Sequence, residues 1–497
     1  MAKSILIDPV TRIEGHAKIT VRLDDAGVVQ DARFHVTEFR GFEAFCRGRS
    51  VYEMPALTAR TCGICPVSHV LTGAKAGDAI LGVTPPPAAL RLRRMMNLGQ
   101  ILQSHALSFF HLSAPDLLLG FDSDPAQRNV FGLIEQTPEV ARRGIRMRRF
   151  GQEVIASLGD RKIHPAWAVP GGVRAGIDRA ARERLLAEFE TIQHDARWAW
   201  ARYGEIVDAH PEEVEAFGTF PSLFMGLVAR SGDWEHHEGL LRFIDADGNR
   251  YGEDFAAERY DEFIGEVSDA DTYLKSPYHL GAQGRAPISG ERAAPATSQG
   301  DASANGEAPG TYRVGPLARI NLAERMGSPL ADAALAEFRD EFGRVPQGSF
   351  HYHGARLIEV LAAVERLGEL LEDPELDEGP LRAEAGINHL RGVGVSEAPR
   401  GTLFHDYRVD EHGLITGVRM IIATGHNNLA MNRTVSQIAK AFVQGPEVSE
   451  GALNRIEAGI RAYDPCLSCS THAIGQMPLV VRVESAQGEL LNEVVRG

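Results

Sequence analysis

Cysteine is scarce in this chain: there are five in 497 residues, too few for a disulfide framework. That usage fits a reducing cytoplasm, where paired cysteines more often bind metal or do chemistry than crosslink. Long apolar runs are missing as well. No stretch approaches the roughly 18 residues that a membrane span needs. The opening stretch, Met1 to Pro9, has one cation and a very short apolar run and does not read as a secretory signal. We therefore expect a cytoplasmic protein. Positive charge is in deficit, with 52 Lys and Arg against 67 Asp and Glu and a net charge of −15. This argues against a general nucleic-acid binder, whose affinity would rest on neutralising phosphates. The apolar fraction of 44% and charged fraction of 24% are ordinary for a globular protein. The length allows a large core.

Hydrophobic periodicity predicts an α+β fold, with long central helices and small β-elements near both ends. Ala17 to Leu23 and Val28 to Val36 alternate as a strand pair around the turn Asp24-Asp25-Ala26-Gly27. Helices are predicted over 66–81, 88–112, 138–158, 178–203, 330–342, 354–371, 435–442 and 452–463, the second ended by Ser113-Ala114-Pro115-Asp116. A strand pair is expected around Leu240, Asn249 and Tyr251, and two late strands over 403–409 and 414–423. Residues 284–310, rich in Ala, Gly, Ser and Pro, read as an exposed, mobile insertion. Residues 1–472 form one domain in this reading, and Leu479 to Val483 a further strand in the tail.

Four of the five cysteines form two C-x-x-C units, Cys62/Cys65 and Cys466/Cys469. Each unit lets two sulfurs reach one ion. Together they offer four thiolates, a soft set suited to zinc, iron–sulfur, copper(I) or a thiophilic nickel centre. Zinc ribbons close loops of roughly 15–20 residues between their pairs, whereas Cys65 and Cys466 lie 401 positions apart. Closure entropy rises only logarithmically with loop length, so a well-packed chain can still join its two ends. Two separate sites, a structural zinc or a redox pair remain open on spacing alone. His69 and His472 follow the two pairs. Asp464, Arg60, Glu14, Glu43, Asp116 and Arg400 lie beside them or in other candidate loops, where a purely structural site has little need of such groups. Cys46 reads as a buried small apolar residue.

Arg60-x-Cys62-Gly63-x-Cys65-x-x-x-His69 with Asp464-Pro465-Cys466-x-x-Cys469-x-x-His472 resembles the paired signature of nickel–iron hydrogenase large subunits. Arg12-Ile13-Glu14-Gly15-His16, Arg40-Gly41-Phe42-Glu43 and Glu397-Ala398-Pro399-Arg400-Gly401 match in the family's order. Gly315 to Asn321, Ala126 to Val130 and Pro170 to Val173 look typical of its soluble, NAD-reducing bidirectional branch.

The resemblance implies reversible heterolytic cleavage of H2. Nickel would be held by Cys62, Cys65, Cys466 and Cys469. Cys65 and Cys469 would also bridge to an iron carrying carbonyl and cyanide ligands. Glu14 would relay the proton, with a pKa tuned by burial. Arg400 would stand over the open position, paired with Asp116 and Asp464. Glu43, His472 and the carbonyl near Ile421 would hold magnesium. No cysteines remain for an electron relay. The implied partners are therefore a small iron–sulfur subunit and diaphorase subunits carrying flavin and iron–sulfur, with NAD(P) as acceptor. A maturation endopeptidase would cut between His472 and Ala473, removing the extension 473–497. The competing reading is a non-catalytic four-cysteine metal scaffold related to a subunit of respiratory complex I.

Overall fold

The computed structural model describes residues 3–39, 41–269, 271–282, 310–376, 378–445, 448–472, 479–484 and 490–496. Its core is built on long helices. Pro87–Leu107, Pro138–Gly159, Arg179–Ala209 and Tyr352–Glu372 pack on one another. Leu92, Met95, Leu102, Ile155, Leu185, Val360 and Leu367 from these helices are almost wholly buried in one cluster. Local signals set the boundaries. Proline begins the helices Pro66–Leu81, Pro87–Leu107 and Pro138–Gly159, where its missing N–H costs nothing. Asp178 caps Arg179–Ala209 by accepting from the Ala181 N–H, and Ser449 caps Glu450–Tyr463 from the Ala452 N–H.

Three antiparallel or mixed three-stranded sheets flank the helices. The first joins Ala17–Leu23 and Val29–Val36, the pair that alternation predicted, and adds Lys3–Ile7 beside Ala17–Leu23. The second sets Leu223–Val228 between Tyr312–Arg313 and Leu240–Ile244. The expected pairing of Leu240 with the chain around Asn249 and Tyr251 is present as isolated bridges, Ile244–Arg250 and Leu241–Phe255, with the Tyr251 N–H donating to the Phe243 carbonyl. The main partner of Leu240–Ile244 is the earlier strand Leu223–Val228. The third sheet runs Arg391–Ala398, Gly401–Val409 and Ile415–Ile421. Its first strand escapes sequence reading because every residue after Arg391 is buried, leaving no polar–apolar alternation.

The helix expected to stop at Ser113 does not stop. Pro87–Leu107 passes through a π-turn, Ser108–Ser113, into Ala114–Leu119. Pro115 sits in the first turn of that last segment, where a proline is tolerated. The helices 178–203, 354–371 and 435–442 are each longer than predicted, at Arg179–Ala209, Tyr352–Glu372 and Asn428–Phe442. Beyond His472, Leu479–Glu484 pairs with Leu490–Arg496. The expected insertion 284–310 lies outside the described residues except for Gly310, and so do Arg40 and Ala473. No described helix is long and apolar enough to cross a membrane.

Candidate metal centre

The two ends of the chain meet. Cys65 caps the helix Pro66–Leu81, with Cys62 three residues ahead of it. Cys466 caps the short helix Leu467–Ser470, which carries Cys469. Sγ of Cys466 lies 3.1 Å from that of Cys62, 4.0 Å from that of Cys65 and 3.0 Å from that of Cys469. Cys65 and Cys469 are 3.4 Å apart. All four sulfurs fall within 4.8 Å of one another, all four residues are buried, and none is in a disulfide. Metal–thiolate bonds of about 2.3 Å in a tetrahedron place sulfurs roughly 3.8 Å apart, so the quartet fits one thiophilic ion with sub-ångström adjustment. The fifth cysteine, Cys46, is wholly buried with Val51, Met54 and Ile80. Burial, then Glu43, pushes its thiol up to about 12.

A small cavity adjoins Cys65, Cys466 and Cys469, and Cys62 does not line it. Its remaining walls are His69, Ala398, Arg400, Leu403, Ile422, Ala423 and Thr424. Arg400 occupies the turn between the strands Arg391–Ala398 and Gly401–Val409. Its Nε donates to the Asp464 carbonyl and its Nη2 to Asp464 Oδ1 at 2.9 Å. Burial opposes charge on this guanidinium. Asp464 and the sulfurs of Cys466, Cys65 and Cys62 outweigh burial and hold its pKa above the ordinary arginine value. Asp464 ends the helix Glu450–Tyr463 in the left-handed region, at φ 53°, which aspartate tolerates better than most residues. It thus both turns the chain at Asp464-Pro465 and partners Arg400. Burial pushes its carboxyl up against the pull of Arg400 and Arg356.

Asp116 corrects the sequence expectation. Its carboxylate pairs with Arg12 and Arg461 and accepts from Asn454, with Arg128 at 3.5 Å. Arg400 is not among its ion-pair partners. Three guanidiniums surround Asp116, whereas the fork of Arg400 is filled by Asp464. Burial raises the Asp116 pKa less than Arg461 and Arg12 lower it. Asp116 therefore ties the N-terminal loop, through Arg12, to the helix that leads into the last cysteine pair.

That loop carries Glu14. Its backbone bridges to Cys466, and its carbonyl accepts from the Leu467 N–H at 3.0 Å. Its half-buried carboxylate accepts from the Ser468 hydroxyl and, at 3.0 Å, from the Ser468 N–H. Gly15 permits this approach. At φ +88° a Cβ there would lie 2.6 Å from Leu467 Cβ, both strained and blocked.

Glu43 and His472 also converge, with Oε1 and Nε2 3.5 Å apart. The carbonyl that joins them is Met420's, 2.6 Å from His472 Nε2, and the Met420 N–H donates to Glu43 Oε1 at 2.7 Å. Sequence reading puts the expected carbonyl near Ile421, the next residue along. Ile415–Ile421 is an edge strand, along which alternate residues turn their backbone groups outward. Met420 faces out, so Ile421 faces the neighbouring strand. His69, a wall of the cavity beside the thiols, has its Nδ1 3.1 Å from His405 Nε2, and burial pushes its pKa down to about 4. Sequence reading missed Arg356, a buried guanidinium that donates to the Ala462 carbonyl at 2.7 Å and acts on Asp464. It also missed Ser468. Neither has a local signal beyond its position.

A family model described as nickel-dependent hydrogenase matches residues 40–122 and 306–472, and one described as HoxL-like matches residues 4–39. The chain is 42% identical, over the full length of both, to the NAD-reducing hydrogenase HoxS subunit beta of Cupriavidus necator. The chain belongs to the nickel-dependent hydrogenase family. It is also 39% identical to an F420-non-reducing hydrogenase chain of Methanococcus voltae, over 88% of this chain and 98% of that one. Among solved structures, an NAD+-reducing [NiFe]-hydrogenase in its H2-reduced state superposes with a TM-score of 0.87 at 44% identity, covering 95% of this chain and 99% of that one. The Ni-Fe-Se hydrogenase of D. vulgaris Hildenborough, at 22% identity, shares the fold with a TM-score of 0.72, covering 95% of this chain and all of that one. This hydrogenase chain is thus a nickel–iron large subunit with all four thiols in place, and the expected α+β architecture is that of the family.

Proposed function

We propose that the chain is the H2-cleaving subunit of a nickel–iron hydrogenase that passes electrons to NAD(P) through partner subunits. The observation that carries this reading is the buried quartet of thiols beside a cavity roofed by the Arg400 guanidinium. Cys62, Cys65, Cys466 and Cys469 would hold nickel. Cys65 and Cys469, which line the cavity, would share iron with its carbonyl and cyanide ligands. Glu43, His472 and the Met420 carbonyl suit a hard cation, magnesium. When bound, the nickel–iron pair supplies the open coordination and redox chemistry for splitting H2.

The chain's own groups do the rest. A cysteine sulfur takes the proton, with Cys469 adjacent in sequence to Ser468, and Glu14 receives it through the Ser468 hydroxyl. Arg400, kept charged, presents fixed donors at the cavity, and Asp464 orients its fork. Asp116 acts through Arg12, which holds the Glu14 loop. Ala398, Leu403, Ile422 and Ala423 give the cavity an apolar wall.

The four thiols leave only buried Cys46, so electrons must leave through an iron–sulfur partner. The relative's name, an NAD-reducing hydrogenase subunit, supports diaphorase partners that deliver electrons to NAD, and the free thiols suit a reducing cytoplasm. The family match ends at residue 472. This supports a domain of 1–472 and removal of 473–497 by an endopeptidase cutting after His472, leaving that carboxylate beside Glu43. Mass spectrometry of active complex should find His472 at the C-terminus.

Infrared spectroscopy and elemental analysis of the purified complex test the reading together. We expect nickel and iron near one each per chain, with metal-bound carbonyl and cyanide bands. Zinc alone, with no such bands, would favour the scaffold reading instead.

A further inference from the structure

Two motifs remain outside the chemistry above: Gly315 to Asn321, and Glu397 ahead of Arg400. They meet in the core. Arg319, on the helix Pro316–Leu322, donates from Nε and Nη2 to Glu359 at 2.5 and 2.6 Å. Its Nη1 donates to Glu397 at 2.8 Å. The same guanidinium reaches the carbonyls of Ala398 at 3.0 Å and Pro399 at 3.2 Å, the two residues immediately before Arg400. All three charged side chains are wholly buried. Glu397 also accepts from the Leu227 N–H and the Thr402 hydroxyl. Glu359 also takes Trp234 Nε1–H and His105 Nε2. Ser104, beside His105, lies 3.4 Å from Arg400 Nη1. Gly315 packs against the other side of the turn. At φ +96° a Cβ there would lie 2.8 Å from the Arg400 carbonyl.

We propose that Arg319, clamped between Glu359 and Glu397, is a positioning residue that fixes the Arg400 turn over the metal cavity. The inference rests on the reading of Arg400 given above. Two buried carboxylates around one guanidinium are a poor way to gain stability, since apolar residues of equal volume do as well or better. What such a cluster supplies is a single geometry. The fork of Arg319 binds the backbone on one side of Arg400, and Thr402 carries Glu397's hold to the other. A lysine at 319 keeps the charge but cannot reach two carboxylates and two carbonyls at once.

The test is a double-mutant cycle on the purified, metal-loaded complex with Arg319→Lys, Arg400→Lys and the pair. Nickel and iron content and the carbonyl and cyanide bands report the site, and kcat and KM for H2 report function. We expect Arg319→Lys to keep both metals and an unchanged KM, while kcat falls about 10- to 100-fold, the scale of an ångström misplacement. In the Arg400→Lys background it should cost less than about threefold more. Losses that multiply, or loss of metal from Arg319→Lys, would overturn the proposal. An Arg400→Lys enzyme with normal kcat would instead overturn the reading beneath it. Should Arg319→Lys fail to assemble, Thr402→Val decides. A several-fold loss of kcat confined to the Arg400 background supports the positioning role, and an equal loss in both backgrounds overturns it.

Discussion

Glu14→Gln separates proton transfer from everything else the N-terminal loop does. The wild-type carboxylate accepts two hydrogen bonds from Ser468, one from its hydroxyl and one from its N–H at 3.0 Å. Glutamine can keep the Ser468 N–H bond through its amide oxygen and, with the hydroxyl turned to accept, donate its NH2 to Ser468 Oγ. Both bonds lose their charge assistance, at a cost of about 1–3 kcal/mol. Half-burial of the site places the cost at the low end of that range. The bridge from Glu14 to Cys466 and the bond from the Leu467 N–H use backbone atoms and survive. The fold and the thiol quartet should therefore persist, with nickel content unchanged. Proton transfer should not. Removing a positioned acid–base group costs about 10²- to 10⁴-fold in turnover. The assay is H2-dependent dye reduction beside H2/D2O exchange, with nickel measured on the same sample. Loss of both activities at full nickel loading is expected, with partial recovery in Glu14→Asp. A Gln variant turning over within threefold of wild type would refute Glu14 as the relay.

Other perturbations bear on separate parts of the account. Asp464→Ala strands the buried Arg400 guanidinium and should cost about 3–5 kcal/mol, read as a lower thermal midpoint; a loss under 1 kcal/mol would contradict the pairing. Cys46→Ala should cost about 1–2 kcal/mol and leave nickel content and turnover unchanged, which separates this cysteine from the other four. Burial pushes the pKa values of His353 and His426 down to about 3. Both histidines take up protons more readily unfolded, near 6.5. Their neutral burial therefore contributes fully above that value and is lost as pH falls, at about 1.4 kcal/mol per pH unit for each group. The urea midpoint should drop between pH 7 and 5, and His353→Gln should flatten the slope; a midpoint that rises on acidification would contradict this.

What the sequence made legible was whatever short-range chemistry dictates. The C-x-x-C pairs declare a soft metal by residue type. Pro66 and Pro87 mark helix starts, and Asp24 to Gly27 marks a hairpin. Features fixed by distant parts of the chain stayed hidden. The Met420 carbonyl has no residue-type signature, because any residue at that register would turn a carbonyl outward. Asp116 was assigned to Arg400, yet Arg12 and Arg461, far from it in sequence, claim it. Arg356 looked like an ordinary arginine on a helix and Arg319 was only one residue of a family motif, and packing alone reveals both as buried. The strand Arg391–Ala398 is covered on both faces, so periodicity could not announce it. The π-turn at Ser108–Ser113 carried a helix through a proline that reads as a stop.

The central claim is that sulfurs from opposite ends of the chain share one nickel. X-ray absorption at the nickel edge of the purified complex tests it most directly. The account predicts a first shell of four sulfurs at about 2.3 Å, with sulfur lost when Cys62 or Cys466 is exchanged for serine. A shell dominated by nitrogen and oxygen, or one left unchanged by either exchange, would contradict it.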